Sequence, residues 1–113
     1  MISIELFILT CYEKSLRPQA EEGHGSRNVV LHEAGHAVDA HAPADLKSSS
    51  PAFNDARNKD YNSLSPYEQQ PGAAGQEETY AESIAEYYGG NEKYAETHPN
   101  IYNHWNSDPF NSQ

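Results

Sequence analysis

The sequence predicts a small α+β domain, mostly helical, with a reduced N-terminal strand or sheet element. Three observations carry this expectation. Ile2, Ile4, Leu6 and Ile8 alternate with other residues in the period of a strand; Phe7 and Leu9 are apolar too, so a buried strand is the plainer reading. Two later segments, 27–40 and 76–88, carry apolar residues at helical spacing. The chain of 113 residues is only 36% hydrophobic, with a mean hydropathy of -0.88, so it supplies one lean core and a good deal of loop or solvated helix. We read residues 1–113 as a single domain: strand and loop over 1–25, the chemistry-bearing core over 26–105 and a polar tail over 106–113.

In chain order, Met1 to Tyr12 lacks a basic leading region, carries Glu5 in its middle and is too short to span a bilayer, so no signal peptide or membrane span is visible there. Residues 13–26 are polar and hold Pro18, Gly23 and Gly25, which reads as a loop. Ser26 is a suitable N-cap for a helix through Ala40, and Pro43 stops it. A short helix around Phe53 to Tyr61 is broken by Ser65-Pro66. Pro71 to Gly75 reads as loop, and Gln76 to Tyr88 as an amphipathic helix with Ala81, Ile84, Ala85 and Tyr88 on its apolar face, closed by Gly89-Gly90. Shorter helical stretches are expected over Asn91 to Glu96 and Asn100 to Trp105.

The charge balance narrows the partners. Seventeen acidic against seven basic residues give a net charge of -10, which opposes phosphate backbones and anionic membranes, so neither nucleic acid nor membrane is expected. Cys11 is the single cysteine; an internal disulfide and a cysteine-based zinc site are excluded, and a transition metal must sit on histidine and carboxylate.

His32 and His36 supply that chemistry. They lie four apart on a helix, so both imidazoles project from one face a turn apart, as two neighbouring ligands of a tetrahedral metal require. Glu33 is rotated off that line, where it can reach a water held by the metal without taking a coordination position. Zinc lowers the pKa of such a water towards neutrality, and a carboxylate then takes the proton and returns it to the leaving amine. Ala34 and Gly35 are small enough to let a second element approach the helix closely. His41 falls off the ligand face, Asp39 is better suited to the helix end, and His98 and His104 belong with an aromatic packing face. On the later helix, Glu78, Glu82 and Glu86 form an i, i+4, i+8 carboxylate stripe whose mutual repulsion a cation or histidine would relieve.

The stretches Val29 to Asp39 and Glu77 to Tyr88 together resemble the catalytic domain of anthrax lethal factor and the related clostridial Pro-Pro endopeptidases. These are gluzincins, in which a glutamate from a second helix completes the zinc site. The resemblance runs from about Arg27 to Trp105. It implies a zincin-like fold and a zinc-dependent endopeptidase acting on a peptide or protein, with one Zn2+ per chain. Carried over by motif, His32, His36 and Glu82 are the metal ligands, Glu33 is the general base, and Glu86 accepts from a ligand imidazole. The family's oxyanion tyrosine has its candidate in Tyr67, with Tyr80 and Tyr61 as alternatives whose simpler role is packing. Relatives are often secreted. Zincins also hold substrate along a sheet edge ahead of the first zinc helix, and one strand is visible here for that purpose; either the domain is a minimal version or its N-terminal part is missing. Two other readings stand beside the enzyme: a zinc-binding but catalytically silent relative acting as an interaction module, and a metal-free acidic helical binding module.

Overall fold

The computed structural model describes residues 29–110. Five helices follow one another in this region: α1 (Val29–His41), α2 (Pro51–Lys59), α3 (Gly72–Tyr88), α4 (Tyr94–Thr97) and α5 (Pro99–Asn106), with 3-10 turns at Ala44–Leu46 and Tyr61–Ser63. Among the described residues every regular element is helical and none is a strand, which corrects the α+β expectation to an all-α arrangement. The strand expected over Ile2 to Leu9, Cys11 and the cap expected at Ser26 lie outside the described residues. The physical reason for the helical outcome is that no segment from residue 29 onward has a two-residue apolar period, and the connections are taken up by Pro- and Ser-rich turns.

Local chemistry sets the helix ends. Ser50 caps α2 by accepting from the Phe53 amide at 3.3 Å, and Pro51 occupies the first turn, where its missing N–H costs nothing. Asp60, just past α2, reaches across to the start of α5: its carboxylate accepts from the Ile101 amide at 2.7 Å and from Asn100 Nδ2 at 2.8 Å. A carboxylate at a helix N-terminus satisfies an otherwise orphaned donor and complements the helix dipole. Helix α3 starts a turn earlier than expected, at Gly72. Ala73 and Ala74 favour helix, and Gly75 is demanded by space, because a Cβ there would meet the Gln70 carbonyl and the Arg57 guanidinium.

The core is aromatic and sits where α2, α3 and α5 meet. Phe53, Tyr80, Ile84 and Ile101 are fully buried, and Trp105 is nearly so. Phe53 and Trp105 each meet the Tyr80 ring edge to face, at 5.1 and 5.3 Å. Two polar tips inside are paired, Trp105 Nε1 donating to Ser83 Oγ at 2.8 Å and the Tyr80 hydroxyl to the Leu46 carbonyl at 2.7 Å, whereas the buried Tyr94 hydroxyl has no hydrogen-bond partner among the described residues. Buried Arg57 ties the loop ahead of α3 to that helix, donating to Thr79 Oγ1 at 3.1 Å and to the Glu68 carbonyl at 2.7 Å. The N-terminal half of α3, which carries Glu78, is thereby fixed. No helix among the described residues is long and apolar enough to cross a membrane.

Candidate metal centre

Helices α1 and α3 form the principal packed pair, and their contact is set by Gly35. A Cβ on Gly35 would lie 2.7 Å from the Ala81 Cα, closer than real Cβ atoms come, so the two backbones touch at this point. On α1, His32 and His36 stand three residues before and one after Gly35; on α3, Glu78 and Glu82 stand three before and one after Ala81. Two histidines and two glutamates are thus presented to each other around one close crossing.

The distances show how they pair. His32 Nε2 lies 3.0 Å from Glu78 Oε1, and His36 Nε2 lies 3.4 Å from Glu78 Oε2. One carboxylate therefore bridges both imidazoles. Glu82 is placed differently: its Oε1 accepts from His32 Nδ1 at 2.9 Å, on the opposite edge of the same ring. The two rings meet edge to face, with centroids 4.9 Å apart. Among the described residues, the group able to hold a metal ion is His32, His36 and Glu78, each half-buried, with one ligand atom apiece and all three atoms within 4.8 Å of one another.

The electrostatics stem from this placement. The hydrogen bond to Glu82 raises the His32 pKa above its ordinary value, burial opposes the rise, and the charges of Glu82 and Glu78 add to it. Burial alone would push the Glu82 carboxyl up; its bonds to His32 and Glu86 outweigh that and leave it below the usual carboxylate range. A cation placed between the imidazoles and Glu78 would compete with protons for the same ring nitrogens, so uptake there would be coupled to proton release. The donor set of two imidazoles and one carboxylate suits zinc, and Glu82 holding Nδ1–H fixes the tautomer that leaves Nε2 facing the other donors.

The other residues singled out by the sequence are dispersed around this centre. Glu33 is exposed, one position beyond His32. Glu86 Oε1 accepts from Asn91 Nδ2 at 2.7 Å, and the carboxylate that accepts from a histidine Nδ1 is that of Glu82. Tyr67 lies on the loop before α3 with 62% of its surface exposed. The Tyr61 hydroxyl donates to the Gln69 carbonyl, and that of Tyr80 is occupied inside the core. Asp39 ends α1 by accepting from the Ser48 amide at 2.8 Å, and His41 is exposed. His98 stacks on Tyr94, while His104 packs against Phe53 and Trp105. Beside His36 lies an open cleft of about 310 Å³ bordered by Asp39, Ala40, Lys47, Ser48, Ala73 and Glu77.

Sequence reasoning passed over Glu78 as the carboxylate shared by the two histidines. The signal that locates it is the pair of small residues, Gly35 and Ala81, which marks where the helices touch and hence which turn of the glutamate stripe faces the rings.

A family model described as "Anthrax toxin lethal factor, N- and C-terminal domain" matches residues 16–107. The description spans both ends of that toxin and states no activity, so it assigns a family and leaves the catalytic unit unassigned. Neither the comparison with curated proteins nor that with solved structures finds a match.

Proposed function

The chain belongs to the anthrax toxin lethal factor family, and from that premise we propose that it is a zinc-dependent endopeptidase of the gluzincin kind, with one zinc per chain held by His32, His36 and Glu78. The observation that carries this reading is the Glu78 carboxylate spanning the two Nε2 atoms at 3.0 and 3.4 Å. Glu82, read from the motif as the third ligand, takes an outer role here because it already holds the far nitrogen of His32.

Zinc held by that donor set would supply Lewis acidity towards a peptide carbonyl and a water. Glu33, on the same helix and open to solvent, takes the proton from water as it adds to the carbonyl carbon and delivers it to the departing amine. Glu82 fixes the His32 ring through Nδ1–H. Tyr67, on the loop ahead of α3, is the candidate donor to the developing oxyanion. The cleft beside His36 gives a substrate side chain somewhere to sit.

The test is zinc content and peptide hydrolysis across four variants. Glu78→Ala should lose zinc, whereas Glu82→Ala should still take up one zinc per chain at saturation with affinity about 10–100-fold weaker. Glu33→Gln should keep the zinc and lose about 10²–10⁴-fold in hydrolysis of a diverse peptide library, and Tyr67→Phe should lower turnover without touching metal content. A Glu82→Ala protein without zinc beside a Glu78→Ala protein with it would reverse the ligand assignment. Wild-type protein that holds zinc yet cleaves nothing in the library would leave the silent interaction module as the better reading.

A further inference from the structure

Where the last turn of α1 passes the first turns of α3, the cleft beside His36 opens to solvent. Its buried side is made by Asp39 and Ser48, only 9% and 5% exposed, and its rim by the exposed Ala40, Ala73 and Glu77. Asp39 is held in place, since its Oδ1 accepts from the Ser48 amide at 2.8 Å. Lys47 also borders the cleft, but its ammonium is taken up by the end of α1: Nζ donates to the Asp39 carbonyl at 2.6 Å and to that of Ala40 at 3.2 Å. It thereby satisfies carbonyls that the helix leaves open, and not a carboxylate. Among the described residues no ion pair engages Asp39 or Glu77. The cleft is left with two carboxylates against one ammonium already committed, in a chain whose net charge is -10.

Two carboxylates are too few donors for a hard metal ion, which takes six or more oxygens, and the described residues able to hold a metal are His32, His36 and Glu78. An organic cation on a flexible stem suits the cleft better. Ala40 and Ala73 offer methyl groups to a methylene stem, Asp39 offers a desolvated carboxylate to a charged head, and about 310 Å³ admits one long side chain. We propose that this cleft is a specificity subsite that takes a lysine or arginine side chain of the substrate, with Asp39 and Glu77 receiving the cationic head. The proposal rests on the zinc endopeptidase reading above and names its substrate class. His36 lines the metal centre and the cleft alike, so a side chain seated there belongs to a residue flanking the bond that is cut. The negative field of the whole chain draws basic peptides towards it.

Cut sites in a diverse peptide library treated with zinc-loaded protein, mapped by mass spectrometry, should fall beside lysine or arginine. Peptides of one such sequence are then compared with the lysine kept, with norleucine in its place, which has a similar stem and no charge, and with glutamate. Lysine should be favoured over norleucine roughly 10–100-fold in kcat/KM, and less at high salt. Asp39→Asn keeps an acceptor for the Ser48 amide while losing the charge, and should bring that ratio close to one. Glu77→Gln, at an exposed residue on which folding does not depend, should lower it about threefold, and Glu77→Lys further. Metal analysis should find one zinc per chain in every variant. Cuts placed without regard to basic residues, or a lysine preference that the Asp39 and Glu77 variants leave intact, overturn the subsite while the endopeptidase reading stands. Selection of acidic residues overturns it as well and makes Lys47 the reader of charge. Wild-type protein that cleaves no peptide overturns both.

Discussion

His104 packs its ring against Phe53 and Trp105, and burial holds its pKa below the ordinary 6.5. A depressed imidazole is neutral in the fold, whereas the unfolded chain takes up a proton as soon as the pH drops past 6.5. Stability is therefore complete above that value and declines as the pH falls through the folded pKa. His104→Gln has nothing to protonate there, so its melting temperature should fall less steeply on the acid side, measured with chelator present to exclude any metal contribution. Residue chemistry of this kind was partly legible. The four-residue spacing of His32 and His36 placed both rings on one face, and Glu33 off it, because helical geometry alone decides that. The choice between Glu78 and Glu82 was not legible from spacing, since a stripe of glutamates repeats identically at every turn and only the partner helix distinguishes one from the next.

That partner is fixed by the Gly35 and Ala81 contact, and the consequence belongs to the helix pair. A methyl group on Gly35 would meet backbone and not the end of a flexible side chain, so the helices must part to admit it. Gly35→Ala should cost about 1–3 kcal/mol and weaken zinc binding as well, although residue 35 contributes no ligand atom; denaturant melts and chelator competition check the two effects. Helix existence was well written in the chain, because the apolar periods of 27–40 and 76–88 are long. The start of α3 was misread, since Pro71 to Gly75 has the composition of a loop. Alanines favour helix there, and Gly75 serves a close approach to the Gln70 carbonyl that composition cannot reveal.

For the whole molecule, a lean aromatic core and an excess of carboxylates mean that zinc, bound as proposed, would take a large share in stability. At free zinc 100-fold above its dissociation constant the gain is about 2.7 kcal/mol, which for a chain of this size raises the melting temperature by on the order of 10 °C; a melting curve indifferent to chelator would remove zinc from the account. The α+β class was the largest departure. It leaned on an N-terminal alternation outside the described residues and on resemblance, whereas residues 29–110 build their packing from helices alone. The crossing at Gly35 also governs how this chain can vary. Each residue added to a helix rotates its downstream portion by about 100°, so a single insertion between His32 and His36, or between Glu78 and Ala81, would scatter the donors around the cylinder. An insertion in the exposed turn at 43–45 leaves that register unchanged. Natural relatives should differ in length between the two helices and hold a constant register inside their facing turns.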